Sequence, residues 1–162
     1  MAANELTVRV LREQDLPALI EIDQTASGMR RADYLHDKAR QSLDSQHPTV
    51  IAVVAETEGV SPKGERAPRA PRTVVGFMMG QVFRGEFGVP EAVAVVDTVG
   101  IHPGFQGRGT GRRLMGEFLL RAKKVGAVQV RTIVDWNQFD LLRFFRTLGF
   151  APGTGIVLQR SV

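Results

Sequence analysis

The chain has 162 residues, 43% apolar and 23% charged, with a formal net charge of +4. These proportions belong to an ordinary globular chain of one domain and exclude collagen-like, mucin-like and wholly disordered proteins. With no cysteine, disulfides, iron–sulfur clusters, zinc knuckles and a thiol nucleophile are excluded as well, and His36, His47 and His102 are too widely spaced to suggest a metal.

The N-terminus lacks a basic segment followed by an apolar stretch, and the longest apolar run, Ala92–Ile101, is too short for a bilayer. We therefore expect no signal peptide, no membrane partner and a cytoplasmic location. Seventeen arginines against four lysines favour anionic partners, although genomic base composition produces the same excess.

In chain order, residues 6–11 alternate enough for a first strand. Asp15 is a natural N-cap before an apolar-periodic helix carrying Leu16, Leu19 and Ile20. A second helix is expected over residues 32–43, ending before His47-Pro48. Residues 49–57 are β-branched and read as a strand. Residues 58–72, rich in Pro, Gly and charge, read as a mobile surface loop. Residues 73–83 and 92–101 read as an antiparallel pair. The second of these is almost wholly apolar and so lies centrally in the sheet. A glycine-rich loop, 104–111, leads into a helix over 110–125 with Leu114, Met115, Phe118, Leu119, Ala122 and Val125 on one face. A strand at 129–134, a short helix at 140–148 and a last strand at 156–160 complete the order β-α-α-β-β-β-α-β-α-β, an α/β fold with a mixed sheet.

The loop Gln106-Gly-Arg-Gly-Thr-Gly111 carries the first chemical signal. Glycine admits backbone N–H groups close to a ligand, and a helix N-terminus favours an anion. The first helical turn bears Arg112 and Arg113, with Arg108 just before, where the helix dipole favours carboxylates. A bound phosphate or pyrophosphate would resolve that conflict. A bare glycine turn would show the same glycines. The dinucleotide pattern fails because Arg112 stands at its third glycine, and the Walker pattern fails because Thr110 stands at its lysine.

The segment from Val99 to Gly111 (VGIHPGFQGRGTG) resembles motif A of the GNAT (Gcn5-related N-acetyltransferase) superfamily, an apolar strand end followed by [RQ]-x-x-G-x-[GA] opening a helix. Gln106, Gly109 and Gly111 fill its defining positions. Asn137, followed by Leu141-Leu-Arg-Phe-Phe145 and Leu148-Gly-Phe150, is similar to motif B. The resemblance implies a mostly antiparallel central sheet flanked by helices, with two parallel strands splayed apart. It implies acetyl-CoA in the cleft between them, and no metal. The pyrophosphate would meet Gly107, Arg108, Gly109, Thr110, Gly111 and Arg112, the pantetheine arm the backbone at Val99 and Ile101, and Asn137, Phe144 and Phe145 the other side. The two phenylalanines also read as plain core packing.

The resemblance further implies acyl transfer from acetyl-CoA to a primary amine, of a small molecule or a protein, by direct attack in a ternary complex. A main-chain N–H near 99–101 would meet the oxyanion. Asp97, the one charged residue of its strand, is the first candidate base, and Asp135, at the end of the other splayed strand, the second. Each also reads as a structural carboxylate. Many family members carry a general-acid tyrosine where this chain has Phe145, and its only tyrosine is Tyr34. A degenerate, CoA-binding module with a regulatory or scaffolding role is the alternative reading. A homodimer is compatible with either. Nucleic acid is disfavoured, because the arginines are scattered and aromatics make up only 7%.

Overall fold

The computed structural model describes residues 6–44, 49–59 and 71–162. Five strands form one sheet in sequence order: β1 (Thr7–Val10), β2 (Val50–Thr57), β3 (Thr73–Arg84), β4 (Ala92–Ile101) and β5 (Ala127–Thr132). All neighbours are antiparallel except β4 and β5. Those two are parallel because helix α3 (Thr110–Lys124) carries the chain back between them. Helices α1 (Leu16–Ser27) and α2 (Ala32–Leu43) cover one face of the sheet, and α3 and α4 (Phe139–Thr147) the other.

Strand alternation distributes the core. In β2, buried along its whole length, Ile51, Val53 and Ala55 join Leu114, Met115 and Phe118 of α3, while Ala52 and Val54 join Leu19 and Ile22 of α1 and Leu35 of α2. Each helix contributes one apolar stripe, spaced by three and four residues, and the sheet supplies the complementary surface.

Several expectations shift. Asp15 precedes α1, but its carboxylate turns back instead of capping that helix. It accepts the Arg12 N–H at 2.7 Å and two Arg9 guanidinium bonds at 2.7 and 2.9 Å. Arg9 also donates to Glu56 at 2.8 Å, and the bonds to Asp15 foremost hold its pKa above the ordinary arginine value. Arg9→Ala would take the guanidinium from two buried carboxylates, leaving Asp15 the Arg12 N–H and Glu56 the more exposed Arg72, a change that costs about 3 kcal/mol. At about 2–4 °C per kcal/mol for a chain of this size, a melting temperature lower by roughly ten degrees is expected in a calorimetric scan.

β5 begins two residues before the expected 129. The loop expected over 58–72 falls largely outside the described residues; at its ends Arg72 pairs with Glu58 at 2.9 Å and Glu56 at 3.2 Å. The last strand, expected over 156–160, does not form. A strand needs a neighbour to hydrogen-bond with, and among the described residues these have none; they are exposed.

Candidate active site

The parallel pairing of β4 with β5 ends at Val96 opposite Thr132, where the Thr132 hydroxyl donates to the Val96 carbonyl at 2.9 Å. β4 continues to Ile101, paired there with β3 alone. From this fork opens a groove of about 1350 Å³, lined on one side by residues 97–101 and on the other by Ile133, Asn137, Phe139 and Phe144. Beyond Val96 the edge of β4 that faced β5 has no partner strand, so its backbone groups border the groove. An extended amide chain can pair there as an added strand does.

One end of the groove is the glycine loop. Gly107 and Gly109 have φ of +69° and +81°, the left-handed region where a side chain is strained. A Cβ at either would meet no protein atom within 4 Å, so the surface above the loop is open. Gly109 is the N-cap of α3, whose first amides face outward with no acidic residue in the first turn. The Thr110 hydroxyl donates to the Phe105 carbonyl and the Gln106 amide to the Ile101 carbonyl, which fixes the loop against the end of β4. Gly111 is required for another reason: a Cβ there would lie 2.4 Å from the Phe144 ring.

The three arginines separate. Arg112 lines the groove. Arg108 lies over the Phe105 ring, 5.6 Å from its centroid. Arg113 turns away and donates to the Leu6 carbonyl, which removes it from the anion argument; a helix-dipole conflict read from sequence cannot see a carbonyl supplied from 107 residues away. Arg112→Gln is expected to leave the melting temperature of the free protein unchanged and to reduce the rise that CoA produces, as read by scanning fluorimetry.

The other end of the groove lies under α1 and α2. β4 carries a bulge at Asp97: Met79 pairs with Thr98 and Gly80 with Val96, so Asp97 is the extra residue. Gly80 permits the close approach, since a Cβ there would stand 2.2 Å from the Val95 carbonyl oxygen. Asp97 forms an ion pair with Lys38 and accepts the Thr98 hydroxyl at 2.9 Å, and Thr98 is linked to the Tyr34 hydroxyl at 2.7 Å. The Lys38 ammonium and the Arg31 guanidinium both lie over the Tyr34 ring. Arg31 grips the buried Asp23 through two bonds, at 2.6 and 3.1 Å, and these hold its pKa above the usual arginine value.

Lys38 escapes a reading of the sequence because charged helix residues default to solvent. The available signal is position: Lys38 falls three residues after Leu35 and one before Ala39, on the apolar stripe of α2, and is only 5% exposed.

Val99, Ile101, Gln106, Gly107, Gly109, Thr110, Gly111, Arg112, Asn137 and Phe144 line the one groove together with Asp97. Phe145 does not; it is 5% exposed and packs edge-on against Phe144 and Phe150, so its core reading prevails. Asp135 is exposed at the turn after β5, where its carbonyl accepts the Gln138 N–H, and it does not line the groove with Asp97. Among the described residues no group of His, Asp or Glu is placed to hold a metal, and no helix is long and apolar enough to cross a membrane. A second cavity, about 600 Å³, is lined by Arg9, Asp15, Glu56 and Arg72, which pair with one another.

A five-stranded mixed sheet forked between parallel β4 and β5, with a glycine loop at the fork, defines an acyl-CoA N-acyltransferase fold. The family model described as Acetyltransferase (GNAT) family matches residues 16–150, and the chain belongs to that family. Among solved structures it is similar to aminoglycoside N-acetyltransferase AAC(6')-Iy in complex with CoA (13% identity, 98% of this chain and 96% of that chain, TM-score 0.76). It is similar also to aminoglycoside 6'-N-acetyltransferase AAC(6')-Ih from Acinetobacter baumannii (9%, 98% and 99%, TM-score 0.74). A transcriptional regulator from Bacillus halodurans C-125 shares the fold as well (19%, 98% and 100%, TM-score 0.73). Among proteins of curated function, none matches the sequence.

Proposed function

We propose that the chain transfers an acetyl group from acetyl-CoA to a primary amine by direct attack in a ternary complex. The observation that carries this reading is one continuous groove with an open, positively polarised glycine loop at one end and Asp97 at the other. Acetyl-CoA supplies the activated acyl group. The amides of the 107–112 segment and Arg112 bind the pyrophosphate. The free edge of β4 receives the pantetheine amides, and Phe144 and Asn137 border them. AAC(6')-Iy, of the same fold, is described both in complex with CoA and with a CoA-linked bisubstrate analogue, which supports the cosubstrate.

For transfer, the amine nitrogen forms a bond to the acyl carbon and the carbon–sulfur bond breaks. A main-chain N–H on the unpaired edge of β4 meets the oxyanion. The amine proton passes to Asp97, directly or through one water; Lys38 and Thr98 fix the carboxylate yet leave lone pairs to accept from the substrate. The thiolate departs without a donor, since an ordinary thiol has a pKa of about 8.5; this accords with phenylalanine at position 145. Asp23 and Asp97 are already matched by Arg31 and Lys38, so this end offers no excess negative charge to a polycation. We expect monoamines to outperform polyamines and aminoglycosides.

The test is thiol release from acetyl-CoA across a panel of mono- and polyamines, read with a thiol reagent. With no cysteine, the protein itself contributes no signal. CoA binding by calorimetry with no turnover on any amine would favour the CoA-binding, non-catalytic module, which Phe145 keeps in view.

A further inference from the structure

The Asp97 end of the groove holds a second cation besides Lys38. Arg31 stands at the start of α2 and lines the groove together with Asp97 and Thr98. Two contacts pin its guanidinium. Nε and Nη2 donate to the two carboxylate oxygens of the buried Asp23, and the cation lies 5.4 Å from the centroid of the Tyr34 ring. Tyr34 is itself held to β4 by its hydroxyl on Thr98, next to Asp97. A guanidinium offers more than one pair of parallel N–H groups. Asp23 occupies the pair made by Nε and Nη2. The outer pair, made by Nη1 and the second N–H of Nη2, finds no partner among the described residues. Such a pair matches the two oxygens of a carboxylate, and here it is oriented before any ligand arrives.

We propose that the acceptor is a small free amino acid, bound with its amine at Asp97 and its carboxylate on the outer N–H pair of Arg31. The inference rests on the acetyltransferase reading. Its support is the way two ion pairs divide between core and groove. In one, the Lys38 side chain is 6% exposed and Asp97 29%; in the other, Asp23 is 2% exposed and Arg31 36%. Each pair hides one member and presents the other, so the groove meets one carboxylate and one guanidinium. A ligand of net charge gains nothing from a balanced site, whereas a zwitterion places its ammonium on Asp97 and its carboxylate on Arg31. A polyamine or an aminoglycoside has no carboxylate for Arg31. Once the ammonium has lost one proton to water, the amine nitrogen bonds to the acyl carbon. Its next proton passes to Asp97, the carbon–sulfur bond breaks and the thiolate leaves. The carboxylate stays on Arg31 throughout, and the product is an N-acetylamino acid.

The experiment is thiol release from acetyl-CoA with glycine, leucine and γ-aminobutyrate, each compared with its own carboxamide. The carboxamide of an α-amino acid has the less basic amine, so intrinsic reactivity runs against the expected preference. We expect kcat/KM to favour at least one acid by about tenfold or more, carried by KM, because a site built to bond a group rejects the analogue lacking it. The double variant Asp23→Asn/Arg31→Gln removes both charges and leaves neither buried alone; circular dichroism checks that it is folded. In it the ratio of acid to carboxamide should fall to about one. Carboxamides or plain amines used as well as the acids would overturn the proposal and leave acetyl transfer standing, and so would a preference that survives in the double variant. If no amine releases thiol, the acetyltransferase reading fails, and calorimetry of the same acids on the CoA-loaded protein decides the Arg31 site by itself. Binding of an acid that the double variant loses upholds the site, and no binding overturns it.

Discussion

Asp97→Asn is expected to lower turnover by about a hundredfold or more, the range of general-base contributions, while CoA affinity stays unchanged. The substitution also leaves Lys38 buried without its counter-charge, at a cost of about 3 kcal/mol, near the low end for broken pairs because Asp97 is itself reached by solvent. A slower, less stable enzyme alone would therefore be ambiguous. The double variant Lys38→Met/Asp97→Asn separates the two effects, because it removes both charges and keeps the apolar stem against the core. If Asp97 is the base, stability returns and turnover does not. Recovery of turnover in the double variant would assign Asp97 a structural role. Thiol release and a thermal scan on the two variants give both readings.

Gly109→Val is expected to weaken CoA binding by about a hundredfold, roughly 2.7 kcal/mol. The residue holds φ of +81° and lines the groove, so valine brings left-handed strain and a branched side chain into the space above the loop. Gly116→Ala is the control: it lies within α3, its Cβ would meet nothing within 4 Å, and it should stabilise the helix slightly and bind CoA normally. Unchanged calorimetric affinity in a folded Gly109→Val protein would move the phosphates to another site.

Elements with a strong internal pattern were legible. The nearly unbroken apolar run at Ala92–Ile101 and the periodic face of α3 could hardly take another form, and the glycine loop between them marked the groove. What escaped depended on contacts distant in sequence. Arg113 finds the Leu6 carbonyl across 107 residues, and Lys38 finds Asp97 across 59. No local window holds both partners. The segment at 156–160 failed for a related reason: β-propensity states that a strand fits a sheet, not that a sheet edge is within reach.

The bulge at Asp97 changes the parity of β4. Before it, the even residues Ala94 and Val96 face the α3 core; after it, the odd residues Val99 and Ile101 do. Asp97 and Thr98 are consecutive, yet both reach partners on α2. A regular strand would send one of them through the sheet to the opposite layer. The count of residues in this strand thus matters apart from their identity. Removing position 97 altogether would restore strict alternation with Ala94, Val96, Val99 and Ile101 still on one face, because Gly80 and Met79 already pair with Val96 and Thr98 in succession. A deletion here is consequently a different kind of lesion from a substitution: it removes the carboxylate and the bulge together, while both halves of the central strand keep their phase against the core.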